Sequence, residues 1–256
     1  MFYYDTIKLS DNKTAKVLKS SLLDKAEHFF TTRDFILNCG NLNEYKQEAE
    51  TNRELLCRYF NIPNSKLFIP KQTHSDHIKI ITEGNNNLDD TDSVISDIEN
   101  TAILLNFADC TPVIIYSAKH KVGAVVHAGW RGCAQSILPK TVRMLYEKFS
   151  VKPKELTCVI GPSIGSCCYC VNEDVYYKIK NTVHSESELL FGKIEDNSQD
   201  NKYYVDLKRV NQTQLEEISV ENIDVCNICT SCQNDLYFSY RKEKGITARH
   251  SAILKI

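Results

Sequence analysis

The chain has 256 residues, 25% charged and 42% hydrophobic, and its 31 Lys and Arg against 33 Asp and Glu leave a net charge of −2. This is the composition of an ordinary globular fold, long enough to bury a sizeable core without disulfides or a partner subunit. It excludes nucleic acid and anionic membrane as partners, because those surfaces reward clustered Lys and Arg.

No apolar run approaches the roughly 18 residues of a membrane span. The opening MFYYDTIKLS lacks the charged-then-apolar profile of a secretory signal, so a cytoplasmic location is expected. The 11 cysteines are odd in number and irregular in spacing, which makes a poor disulfide framework. Reduced thiols fit better, most of them acting as small buried hydrophobes and some available to metal.

In chain order, β-branched and apolar runs predict strands over His28 to Thr32, Lys66 to Ile69, His77 to Ile81, Ala102 to Phe107, Val113 to Tyr116, Val122 to Val126, Thr157 to Ile160 and Ala252 to Ile256. Helices are expected around Gln47 to Phe60 and Glu173 to Lys180. A third is read from the stripe Leu138, Val142, Leu145 and Phe149, with Pro139 near its start, and a fourth from Leu207, Val210, Leu215 and Ile218. Gly84 to Thr91 is a loop by turn chemistry, and Ser185 to Lys202 reads as a polar, mobile excursion. Several strands adjoin without a helix between them, so mixed sheets with outer helices are favoured over a regular parallel array.

Chemistry-bearing residues gather at strand ends. Arg33 follows the strand-exit segment FFTTRD. QTHSDH at 72 to 77 is a polar turn holding His74 and His77, each of which alone reads as an ordinary surface residue. LLNFADCTP at 104 to 112 gives way to Asp109 and Cys110 just before a proline. Cys110 is a soft metal ligand or a nucleophile when ionised, or simply packing, and Asp109 orients a histidine or stays solvated. VGAVVHAGWRG at 122 to 132 ends a strand in His127 and continues into a glycine-flanked turn with the only Trp and with Arg131, whose planar fork suits phosphate or carboxylate. The alternative is a core histidine followed by a turn.

Were His74, Cys110 and His127 to meet, two imidazoles and a thiolate would make a three-ligand site with an open position, the signature of catalytic zinc. Their separations of about 36 and 17 residues match no local motif. Cys167, Cys168 and Cys170 form one thiol cluster and Cys226, Cys229 and Cys232 another. Both read first as free thiols, with a structural zinc shared between them as the alternative; iron–sulfur ligation lacks its fourth Cys and the following proline. FSYRKEKGITAR places Arg241 and Arg249 around a turn. Together with Arg33 and Arg131 they supply enough guanidinium groups for an anionic substrate, or are solvated surface charge.

In order along the chain, FFTTR, NR, QTHS, FADCTPV, HAGWRG, GPSIGSCCY, VDL, CT, FSYR and GITAR resemble the laccase-domain family, also called YfiH-like or polyphenol oxidase-like. The resemblance implies one α/β domain over 1–256, with mixed sheets sandwiched between outer helices, similar to the Cys-His toxin deamidase fold. It implies a metal, usually zinc with copper possible, on His74, Cys110 and His127. It also implies phosphorolysis of adenosine, inosine and S-methyl-5'-thioadenosine with deamination of adenosine, so that the partners are a purine nucleoside and phosphate. In that setting Asp109 or His77 assists proton transfer, and Arg33, Arg131, Arg241 and Arg249 hold phosphate.

The chain departs from the family pattern at Ser75 (commonly Gly), Cys170 (commonly Glu, so a carboxylate is lost) and Ala248 (commonly Gly). The alternatives weighed are a copper polyphenol oxidase, a metal-free Cys110–His127 amidase or peptidoglycan-precursor editing hydrolase, and a module with a purely structural metal closed by His77 or Cys168. A multicopper centre is disfavoured because the chain has 7 His and 2 Met to supply it. Protein partners are not indicated.

Overall fold

The computed structural model describes residues 1–84, 86–184, 191–194 and 202–256. An N-terminal hairpin of β1 (Phe2–Ser10) and β2 (Lys13–Ser20) leads to β3 (Glu27–Thr31), helix α1 (Lys46–Tyr59), β4 (Leu67–Phe68), β5 (Ile78–Ile80) and β6 (Ser93–Ser96). Then come β7 (Ala102–Phe107), β8 (Thr111–Ser117), β9 (Val122–Ala128), the short α2 (Trp130–Ala134), α3 (Ile137–Phe149) and β10 (Thr157–Ile160). The chain closes with β11 (Cys170–Asn172), α4 (Glu173–Lys180), β12 (Phe191–Ile194), β13 (Lys202–Val205), α5 (Leu207–Glu217), β14 (Asn222–Val225) and β15 (His250–Lys255).

Among the described residues these form two mixed six-stranded sheets, ordered β1-β2-β3-β15-β7-β4 and β14-β10-β8-β9-β6-β5, with a small third sheet β11-β13-β12. The strand period of two assigns each apolar residue to a layer. On β7, Ile103, Leu105 and Phe107 face the second sheet, where they meet Ile114, Val125 and Val159, while Ala102 and Leu104 face Leu56 and Phe60 at the α1 layer. On β8 and β9, Val113, Ile115, Ala124 and Val126 point the other way, under Leu138, Val142 and Leu145 of α3 and Leu215 of α5. The order is helix, sheet, sheet, helix, and it explains why the central strands read as unbroken apolar runs: both faces are covered. Each fully buried Leu or Ile in these layers stabilises the fold by about 1.5–3 kcal/mol.

Pro139 sits in the first turn of α3, where its missing N–H has no partner to lose. The eight strands and four helices expected from sequence all form, Ala102–Phe107, Thr157–Ile160 and Glu173–Lys180 with the expected ends and the others with shifted ones. The hairpin β1–β2 and strands β6, β11, β12, β13 and β14 were not anticipated. β1 alternates exposed Tyr and Lys with a few inward residues such as Ile7 and Leu9, and β6 is four residues long, so neither carries a strong apolar signal. Of the expected polar excursion, 185–190 and 195–201 lie outside the described residues, whereas Phe191–Ile194 and Lys202 pair in the third sheet. Among the described residues no helix is long and apolar enough to cross a membrane.

At the start of β15, His250 is fully buried between Phe107 and Tyr237. Neither ring nitrogen makes a well-formed hydrogen bond, although the Pro162 carbonyl faces the ring. Burial pushes its pKa down from 6.5 to about 3. The unfolded chain therefore binds a proton between those values and the folded chain does not, so the stability this group contributes is present above pH 6.5 and lost as pH falls toward 3. The loss is up to about 1.4 kcal/mol per pH unit and roughly 5 kcal/mol in all. We expect His250→Leu to flatten the acid limb: its urea midpoint falls less than that of the parent chain between pH 7 and pH 4. Parallel curves would contradict this.

Candidate metal centre and active site

β7 lies in one sheet and β8 in the other, so the turn from Ala108 to Cys110 crosses between them. Asp109 makes that crossing with φ at +86°, a conformation costing a non-glycine residue about 1–3 kcal/mol unless its surroundings impose it. They do. Its carbonyl accepts from the Ile164 N–H at 3.0 Å, Oδ1 accepts from Thr230 Oγ1 at 2.7 Å, and Oδ2 accepts from the Arg241 N–H at 2.7 Å. The pinned turn aims Cys110 at the end of β9. There His127, opposite Pro112 in the β8–β9 ladder, is the penultimate residue of its strand, shortly before Gly129 and α2. A Cβ on Gly129 would lie 2.9 Å from Cys110 Sγ and 3.4 Å from His74 Cδ2, so only glycine leaves these side chains their places.

His74 comes from the loop before β5, also in a left-handed conformation (φ +63°). Asp92, fully buried just before β6, holds that loop. Its carboxylate accepts from the N–H groups of Thr73 (3.1 Å), His74 (3.1 Å) and Ser75 (2.7 Å) and from Ser75 Oγ (2.8 Å). Asp92 Oδ1 also lies 2.7 Å from His127 Nδ1, and its carbonyl accepts from the His127 N–H at 2.7 Å. One carboxylate thus fixes both histidines. It places a proton on His127 Nδ1 and leaves Nε2 as the free donor atom.

The donor atoms of His74, Cys110 and His127 all lie within 4.8 Å of one another, and the two rings are 4.8 Å apart at 73°. Burial raises the Cys110 pKa, but the charges and hydrogen bonds of His127 and His74 outweigh it and bring the thiol down. Burial lowers that of His127, which the Cys110 thiolate and Asp92 more than reverse. Burial also opposes ionisation of Asp92, yet His127 and Ser75 hold its carboxyl well below the usual range. The set favours thiolate and is one donor short of tetrahedral zinc, which is the pattern of a site built for a metal and a further ligand.

These residues line a cavity of about 840 Å³, within the range for small-molecule sites. Trp130, Tyr169 and Tyr240 supply aromatic faces, and Arg131, Arg241 and Arg249 reach its wall. Arg131 lies over Trp130 at 4.4 Å, and Arg241 lies 5.5 Å from the Tyr169 ring. Arg33 does not line it. Its guanidinium pairs with Glu243, donates to the carbonyls of Asn234 and Tyr237 and stacks on Phe238, so the structure places it within the fold and apart from the other three arginines. His77 is likewise outside the cavity, half-exposed and paired with Asp90 at 2.9 Å. Asp109 reaches the wall, with both carboxylate oxygens already engaged.

The family model described as multi-copper polyphenol oxidoreductase laccase matches residues 28–256. The chain belongs to this laccase-domain family. Among its relatives, the purine nucleoside phosphorylase YlmD of Geobacillus stearothermophilus is 30% identical over 85% of this chain and 82% of that protein. A purine nucleoside phosphorylase of Clostridium acetobutylicum is 32% identical over 94% and 98%. The solved structure of YfiH from Bacillus licheniformis superposes with a TM-score of 0.86 at 30% identity, covering 94% of this chain and 96% of that one.

In this laccase-domain chain the histidines do not supply a multicopper set. His28 is satisfied by Ala26 and Ser20, His77 pairs with Asp90, His120 with Glu155 and His184 with Glu217, and His250 is entombed, so only His74 and His127 converge. Ser75 turns its departure from the family pattern to use, since its hydroxyl is an extra donor to Asp92. Asp92 itself escaped the sequence reading. It sits in the turn-rich LDDTDS, and its partner His127 is 35 residues away, so only an acid placed immediately before a strand hinted at a role.

Proposed function

We propose that the chain is a zinc-dependent purine nucleoside phosphorylase acting on adenosine, inosine and S-methyl-5'-thioadenosine, and that it also deaminates adenosine. The observation that carries this reading is a single cavity lined by both a three-donor His, Cys, His set and three arginines. The names of the relatives support the same reaction class. His74, Cys110 and His127 would hold the ion, which supplies Lewis-acid polarisation when bound. Asp92 keeps the His127 proton on Nδ1. Arg131, Arg241 and Arg249 hold phosphate so that its oxygen attacks ribose C1' as the bond to the purine breaks, and Trp130, Tyr169 and Tyr240 offer faces on which a purine stacks. Asp109, with its oxygens committed, positions Cys110 and gives up the proton-transfer role expected for it.

The test is adenosine with and without phosphate, resolving adenine, inosine and hypoxanthine. Phosphate-dependent adenine with phosphate-independent inosine is expected; adenine release indifferent to phosphate would refute phosphorolysis. Arg241→Ala is expected to raise the KM for phosphate by roughly 10-fold or more, the loss of one charge-assisted bond of about 1.5–3 kcal/mol. Arg33→Ala should lower the thermal midpoint and leave that KM in place. The reverse pattern would return Arg33 to the site.

A second reading rests on Asp92, His127 and Cys110 standing in the order orienter, base and nucleophile. A metal-stripped chain that still hydrolyses an amide and is silenced by alkylating Cys110 would favour this amidase over the phosphorylase.

A further inference from the structure

Away from the cavity floor, four cysteines from two distant segments come together. Cys167 and Cys168 lie in the loop after β10, and Cys229 and Cys232 in the segment after β14. All four sulfurs lie within 4.8 Å of one another. Cys232 Sγ is 3.6 Å from Cys167 Sγ and 3.5 Å from Cys168 Sγ. A disulfide needs about 2.05 Å, whereas the edge of a tetrahedron of sulfurs at about 2.3 Å from zinc is roughly 3.8 Å. The observed spacings belong to the second geometry.

We propose that Cys167, Cys168, Cys229 and Cys232 form a second, structural zinc site, coordinated by four thiolates and closed to substrate.

The surroundings are those of a metal knuckle. Cys229 and Cys232 have the C-x-x-C spacing that lets one turn present two sulfurs. The Gly165 N–H donates to Cys229 Sγ at 3.1 Å, the kind of bond that orients a thiolate ligand. A Cβ on Gly165 would lie 3.2 Å from Cys229 Cβ and 3.3 Å from Cys167 Sγ, a close approach that glycine allows without displacing the sulfurs. A d¹⁰ ion without geometric demands of its own suits an all-thiolate tetrahedron at the surface, and four protein ligands leave no position for chemistry.

The ion would staple two loops that build the cavity. Ser163 and Cys229 form an isolated parallel bridge, and the Thr230 N–H donates to the Ser163 carbonyl at 3.1 Å. Thr230 Oγ1 then bonds Asp109, the residue that aims Cys110, while Ile164 and Tyr169 of the same loop line the cavity. The knuckle is therefore one residue removed from the turn carrying the catalytic-site thiol.

The experiment counts metal in tag-free protein purified under reducing conditions. The parent chain should hold two zinc equivalents, and Cys110→Ala and the Cys229→Ser/Cys232→Ser double variant one each. In Cys110→Ala all four knuckle cysteines are native, so the measurement does not depend on whether the double variant folds. Loaded with cobalt, Cys110→Ala should show intense thiolate-to-cobalt charge transfer. A folded Cys110→Ala that holds no zinc, iron in place of zinc, or a Cys167–Cys232 disulfide in the purified protein would each overturn the proposal. None of these outcomes depends on nucleoside chemistry.

Discussion

Cys110→Ala and His127→Ala are expected to lose the cavity metal and every nucleoside-derived product together. The three donors would act as one unit: an ion held there would contribute several kcal/mol of charge stabilisation, and each 1.4 kcal/mol is tenfold in rate, so the expected fall is on the order of 10³-fold or more. His127→Ala carries an added cost, because Asp92 is fully buried and would be left as a charge facing the hole. Removing one partner of such a pair destabilises by about 3–5 kcal/mol. Cys110→Ser is the cleaner variant, since it keeps volume and polarity and removes the soft ligand. A zinc-free Cys110→Ser or Cys110→Ala chain that still cleaved adenosine would contradict the mechanism.

Asp92→Asn should produce the next largest effect. The amide cannot accept the full set of bonds from Thr73, His74 and Ser75, and its NH₂ group opposes donors that the carboxylate satisfied. His127 also loses the acceptor that fixes its tautomer. Outer-shell partners of this kind are worth about 10–100-fold in metal affinity or activity. The expected result is weaker zinc binding in that range, with activity partly restored by excess zinc. Asp90→Asn is the control: Asp90 is exposed, contacts only Thr73 and His77 within that loop, and should leave zinc affinity unchanged. Equal effects of the two substitutions would mean that Asp92 serves folding alone.

The central strands could be read from sequence because their signal is local, whereas His74, Cys110 and His127 match no local motif and are joined into one set only by the family resemblance. Val122 to Val126 is an apolar run whose end is marked by His127, and Ala102 to Phe107 runs into Asp109 and Cys110 in the same way. Most of the strands that escaped are short or lie at an edge with one exposed face, where burial imposes little pattern, and β2, longer and internal, interleaves its buried residues with Lys and Thr. Polar environments are hidden from sequence wherever the deciding partner is remote. Arg33 looks like a free cation until Glu243 and two carbonyls beyond position 230 claim it. Asp109 looks like a base until Thr230 and the Arg241 amide take both its oxygens. The two thiol clusters are separated by about sixty residues, and only the fold brings Cys167 to Cys232.

The most direct measurement is an anomalous difference map at the zinc edge from crystals of a preparation proven active on adenosine and phosphate. The account predicts a peak in the cavity about 2.0–2.3 Å from His74, Cys110 Sγ and His127 Nε2, with the remaining position facing the arginine-lined wall. An active preparation with no peak among those three side chains, or one whose ion is enclosed by a fourth protein ligand, would contradict it.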